Sequence, residues 1–168
     1  RSIVMISFTA EESGLLGSEF YAANPVYPLA TTVAGFNIDA MNVYGRVADV
    51  DIIGSGQSNL DALVTAEATA QGRTAKPDGN PASGSYFRSD HFPLAKRGVP
   101  MAYVDGGGAF RDEPIAAREA ARSEYGSRRY HQADDEWSPA WDLSGQVEDL
   151  QLIFNIGRDL ANSRDWPE

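Results

Sequence analysis

Residues 3–21 read IVMISFTAEESGLLGSEFY. Ile3, Val4, Met5, Ile6 and Phe8 form a short, nearly unbroken apolar run, the pattern of a strand buried on both faces in an α/β sheet. The run ends in Thr9, Ala10 and two adjacent acids, Glu11 and Glu12. Behind them come Gly14, Leu15, Leu16, Phe20 and Tyr21, with apolar residues at helical spacing. Strand, polar turn and helix make half of a βαβ unit, and ligands of open α/β sheets collect outside the carboxyl ends of such strands. Glu11 and Glu12 fall there. Consecutive residues leaving a strand point in different directions, so one carboxylate can ligate a metal while its neighbour faces a water bound to that metal. Acids in a first helical turn also complement the helix dipole, so this stretch alone leaves both readings open.

Two further constellations favour the metal. Val33 to Asn42 reads VAGFNIDAMN, a second apolar strand interrupted by Asn37 and Asp39. Strand interiors disfavour these residues, and polar groups near a strand end need a partner or a task. Arg129 to Glu136 reads RYHQADDE and carries one of only two histidines, followed at once by acids. A lone histidine with acids behind it also fits a solvated loop. Glu, Asp and His from three separate loops nevertheless make an O/O/N donor set that suits zinc, with a neighbouring Glu left over as general base.

TAEESGLLGSEFY, NIDAMN, FRSDHFPLAKRGVP and YHQADDE, in that order and at those separations, resemble the co-catalytic zinc aminopeptidase family, metallopeptidase family 28. The resemblance spans Arg1 to about Trp141. It implies that Glu11 is the general base and that Glu12 and His131 are ligands of one zinc. Asp39 would be a ligand of the second zinc. Tyr130 matches a tyrosine that in some members donates a hydrogen bond to the oxyanion, and Arg88 a position that in some members contacts substrate. His91 matches no ligand and is expected to cap or line the pocket.

A complete member carries a His-x-Asp segment and a metal-bridging Asp upstream of the strand with which this chain opens, and neither is present here. The expectation is therefore a partial catalytic domain over residues 1–168, its C-terminal portion, with two of three protein ligands for one zinc and one of three for the other. Alone it is expected to be inactive, to hold zinc singly and weakly, and to self-associate through uncovered apolar surface.

Composition adds bounds. The chain has 168 residues, a net charge of −10, no cysteine and 42% apolar residues. That suffices for one domain. An acidic balance argues against nucleic-acid binding and could favour substrates with a free ammonium group. Disulfides and thiolate zinc sites are excluded.

The remainder reads as scaffold. A strand is predicted over 49–53, then a helix through Leu60, Leu63, Val64 and Ala68 with a Ser58/Asp61 capping box, ended by Gly72. Thr74 to Ser85 reads as a loop. Asp90 is placed to cap a short helix to Arg97, before a strand from Met101 to Val104 and a flexible turn at Gly106 to Gly108. Pro114 to Tyr125 leaves a helix open. Leu143, Val147, Leu150, Phe154 and Ala161 predict a terminal helix over 144–162 whose apolar stripe is core.

These readings combine into an α/β fold, a three-layer, mostly parallel mixed sheet with helices on both faces. The resemblance implies a zinc-dependent exopeptidase removing an N-terminal residue from peptides, in a periplasmic or secreted setting. Its relatives also include a non-catalytic receptor-like binding domain, glutaminyl cyclases and carboxypeptidases. A binding module has no need to keep Glu11, Glu12, Asp39 and His131 together.

Overall fold

The computed structural model describes all residues from Arg1 to Glu168. Its centre is a four-stranded sheet built from β1 (Gly35–Asn37), β2 (Asp49–Ile53), β3 (Thr74–Pro77) and β4 (Met101–Gly106), in spatial order β1-β4-β2-β3. β1 runs parallel to β4 and β3 parallel to β2, while β2 and β4 are antiparallel, with Val50 opposite Gly106 and Ile52 opposite Val104. The sheet is thus mixed, as expected.

Side chains alternate across a pleat, and the alternation divides the layers. Val50, Ile52 and Ala102 point to one face, where they join Leu60, Val64 and Ala68 of α2 (Leu60–Ala70) and Leu152 and Ile156 of α5 (Ser144–Asn162) in one buried cluster. Burying each large aliphatic side chain there contributes about 1.5–3 kcal/mol. The opposite face carries Asp51, Tyr103 and Asp105. There α1 (Leu16–Ala23) packs on α3 (Phe92–Ala95), joined by the Lys96–Glu19 ion pair at 2.5 Å, and α3 packs on β4. Helices cover both faces.

Arg73, between α2 and β3, is 3% exposed and holds the layers in register. Its guanidinium pairs with Asp149 of α5 at 2.6 Å and donates to the Asp49 carbonyl at 3.0 Å. A buried charge left without these partners would cost several kcal/mol.

The structure corrects several expectations. Residues 3–8 are not a strand. None of residues 2–8 makes a backbone-to-backbone hydrogen bond, and Ile3 and Met5 are 64% and 95% exposed. Strand-forming residues become a strand only beside another strand, and β1 pairs with β4 alone. The strand expected over 33–42 shrinks to Gly35–Asn37, leaving Asp39 beyond its end. Thr74 to Pro77, read as loop, is edge strand β3, where Pro77 is tolerated at the last position. Ser58 and Asp61 do not close a capping box: Ser58 Oγ accepts from the Leu60 amide, but the Asp61 carboxylate turns to Ser55 and Gly56. The question left open at Pro114 to Tyr125 is answered by α4, a helix over Ile115–Arg128.

α5 forms over the expected residues but buries a different face. Leu152, Ile156, Gly145 and Asp149 are buried, whereas Leu143, Val147, Leu150 and Phe154 are 44%, 63%, 43% and 60% exposed. The stripe read as core faces outward. The Gly106–Gly108 turn also has a specific task. The Gly108 and Ala109 amides donate to the Asp49 carboxylate at 3.3 and 3.0 Å, and a side chain at Gly107 would collide with it.

Candidate active site

Glu11 and Glu12 sit on a single 3-10 turn, Glu11–Ser13, that leads into α1. The turn is strained on both sides. Ala10 (φ 57°) and Leu15 (φ 59°) occupy the left-handed region, as does His131 (φ 61°). These are the only non-glycine residues in the chain with positive φ, and each such conformation costs roughly 1–2 kcal/mol. All three lie at the residues singled out from the sequence, and strain held by surrounding structure is a mark of functional sites.

The fold carries His131 from beyond α4 to Glu12, with Nε2 and Oε1 3.0 Å apart. Both side chains are more than half exposed. The Tyr130 ring stacks on the His131 imidazole, with centroids 3.9 Å apart and planes 25° from parallel. Tyr125 follows behind Tyr130 at 6.0 Å, and Tyr44 behind Tyr125 at 6.1 Å, so an aromatic row from α4 supports the histidine.

Asp39 enters from the end of β1. Its Oδ1 accepts from the Ala40 amide at 2.8 Å and its Oδ2 from Ser89 Oγ at 2.7 Å, with the Tyr103 hydroxyl 3.5 Å from the same oxygen. Ser89 in turn accepts from Asn37 Nδ2 at 2.8 Å. This gives Asn37 the partner that its place in a strand demanded. Ser89 and Tyr103 escaped the sequence reading because only the chain's return past the end of β1 brings them to Asp39.

The electrostatics place these groups in one field. The Glu11 carboxyl is raised above its ordinary value, first by burial and then by the negative charges of Asp39, Glu12 and Asp90, with His131 opposing. Tyr130 is pushed up by burial and then by Asp39, Glu12 and Glu11, while the Arg88 charge pulls it down. Arg88 itself is exposed, and its guanidinium makes no hydrogen bond or ion pair. The structure therefore brings Glu12, Tyr130 and His131 into contact, holds Asp39 on Ser89 and the Ala40 amide, and leaves Glu11 and Arg88 within reach only of the charges of these groups.

Neither His91 nor Asp90 supplies a side-chain helix cap. His91 caps nothing: it is 1% exposed, wedged between the Tyr86 and Tyr103 rings at 4.7 and 5.1 Å. Burial pushes its pKa down to about 4 against the pull of Asp39. Asp90 does not cap α3 either, because its Oδ1 is taken by Ser18.

The donor chemistry fits zinc, which binds imidazole nitrogen and carboxylate oxygen. The number falls short. Glu12 and His131 converge as a pair, but no three His, Asp or Glu side chains of the chain stand together as a metal ion requires.

The model of peptidase family M28 matches residues 1–154. No curated protein matches the sequence significantly. Among solved structures the chain is similar to an aminopeptidase from Aneurinibacillus sp. strain AM-1, at 24% identity and a TM-score of 0.44. The alignment covers 61% of this chain and 24% of that one, so the chain spans about a quarter of the length of that solved relative.

Proposed function

The chain belongs to peptidase family M28, and from that premise we propose that it carries part of the active site of a zinc-dependent aminopeptidase. Glu12 and His131 would hold one zinc and Asp39 a second, each with further donors beyond these three. Bound zinc supplies Lewis acidity and a water of lowered pKa. The chain's own residues do the rest. Glu11, next to Glu12 and raised above its ordinary value by burial and neighbouring charge, accepts the proton of the attacking water and returns it to the leaving amine. The Tyr130 hydroxyl, held by stacking on His131, donates to the oxygen that becomes negative. Arg88, exposed and free of partners, would contact substrate.

The observation that carries this reading is the approach of Glu12 to His131 at 3.0 Å, with Glu11 inside the same acidic field. That field also supports the choice of substrate. Glu11, Glu12, Asp39 and Asp90 surround the site in a chain of net charge −10, a setting that attracts an N-terminal ammonium and repels a C-terminal carboxylate. The test compares aminoacyl p-nitroanilides with their N-acetylated forms, before and after chelation and zinc return, in a preparation holding the full ligand set. The reading expects zinc-dependent cleavage of the free amines alone. Equal cleavage of the acetylated forms, or turnover indifferent to zinc, would overturn it.

A further inference from the structure

The two sides of the site hang from separate elements. Glu11 and Glu12 sit on the turn before α1, and Asp39 lies just beyond β1. Three consecutive residues, Ser89 to His91, reach toward one element or the other. Ser89, 3% exposed, bonds to Asp39 and Asn37. His91 is wedged against Tyr103, whose hydroxyl faces Asp39. Between them, Asp90 Oδ1 accepts a hydrogen bond of 2.6 Å from Ser18 Oγ on α1.

Ser18 is fully buried, at 0% exposure. Its single proton has two acceptors in reach, Asp90 Oδ1 at 2.6 Å and the Leu15 carbonyl at 3.1 Å. The carboxylate is the nearer and the stronger of the two. One residue earlier, the Gly17 amide donates to the Thr9 carbonyl at 3.0 Å, and a Cβ at position 17 would stand 2.6 Å from that oxygen. The start of α1 is thereby fixed on both sides of the acids.

The strain of the turn explains why fixing is needed. Ala10 and Leu15 flank Glu11 and Glu12 in left-handed conformations, which persist only where the surroundings over-determine them. Freed of its anchors, the turn would relax and carry both carboxylates away from Asp39.

We propose that the Ser18–Asp90 hydrogen bond is the contact that sets the Glu11–Glu12 turn against Asp39, making Ser18 and Asp90 positioning residues for the site. The coupling stands on geometry; only its consequence for hydrolysis rests on the peptidase reading.

Amide hydrogen exchange on the full chain tests it, with Ser18→Ala, Asp90→Ala, the double variant, and Asp90→Asn, whose amide oxygen still accepts. Losing a hydrogen bond to a charged group should speed exchange at Gly14, Leu15 and Gly17 by roughly 10- to 100-fold. The double variant should add little to either single one, and Asp90→Asn should keep most of the protection. Exchange at Val50, Ile52 and Val104 in the sheet should not change. Acceleration spread evenly over turn and sheet, additive single effects, or unchanged exchange in Ser18→Ala would overturn the proposal. If Ser18→Ala folds poorly, Ser18→Cys, nearly isosteric and a weak donor, must show a smaller acceleration at the same amides or the proposal fails. Turnover of aminoacyl p-nitroanilides in a preparation holding the full ligand set decides the peptidase reading separately.

Discussion

Nε2 of His131 and Oε1 of Glu12 stand 3.0 Å apart, although the residues lie far apart in the chain. With both side chains more than half exposed, such a pair adds only about 0–1 kcal/mol to stability. It cannot have drawn the two segments together. The approach is imposed by the scaffold: the aromatic row Tyr44, Tyr125, Tyr130 on one side and the strained turn before α1 on the other.

His131→Ala should therefore separate stability from metal binding. Unfolding free energy should change by no more than about 1 kcal/mol, while zinc affinity falls by more than about 10-fold. On the unaltered chain zinc should bind singly and weakly, because about three protein ligands are needed at a catalytic zinc and only Glu12 and His131 converge. Competition against a chromophoric chelator measures both. Two tightly held zincs per chain, or an affinity untouched by the substitution, would refute the assignment.

Glu11→Gln keeps size and hydrogen bonding but removes the base. With the complete ligand set, turnover should fall by roughly 100- to 10,000-fold while zinc stays bound. Near-normal turnover would transfer the base role elsewhere.

Asp105 gives the stability profile a definite slope. Asp51 faces it directly across the β2–β4 ladder. The Asp105 carboxyl is pushed up to about 7, by burial first and then by the Asp149 charge, against Arg122. Below about pH 4, where an unfolded Asp keeps its proton, this group costs the folded state nothing. Between about 4 and 7 the unfolded chain releases a proton that the folded chain retains, so stability falls as pH rises and levels off above 7. Asp105→Asn should remove that slope and stabilise the protein at neutral pH.

Asp142 contributes with the opposite sign. The Ser144 hydroxyl and then Arg118 hold it down to about 2. Its contribution is present above about pH 4 and lost as pH falls toward 2. Urea unfolding across pH 2 to 8, with Asp105→Asn and Asp142→Asn, resolves the two. An unchanged profile in Asp105→Asn would show that its proton is not retained on folding.

Ala10→Gly should stabilise the chain by about 1 kcal/mol, because glycine adopts φ 57° without strain. Denaturant midpoints check this. A loss of stability would mean that the Ala10 methyl makes packing contacts worth more than the strain.

The outward stripe of α5, with Val147 63% and Phe154 60% exposed, together with Ile3 and Met5, should make the chain self-associate at high concentration. Sedimentation of the chain and of Val147→Glu with Phe154→Glu tests this. Association undiminished by the two charges would point to the 3–8 segment instead.

What the sequence determined by itself was local or short-range. The β2 run over residues 49–53, α2, α5 over residues 144–162 and the apolar approach to β4 follow from periodicity and from glycine punctuation. Asn37 and Asp39 were legible as residues that a strand does not carry without a partner, and the Glu, Asp and His donors as a set that suits zinc; Tyr130 and the separate roles came only with the family resemblance. Only the tertiary structure decided the rest. Ile3 to Phe8 has every residue a strand needs except a neighbour, and strand character is a property of pairs. α5 has two apolar stripes, and periodicity alone cannot say which one meets the sheet. Thr74 to Pro77 became a strand because β2 offers an edge that tolerates a terminal proline. Ser18, Ser89 and Tyr103, common residue types without a local pattern, acquire their partners only when α1, β1, α3 and β4 converge. Their hydrogen bonds join residues far apart in the chain, and such contacts leave no trace in local spacing.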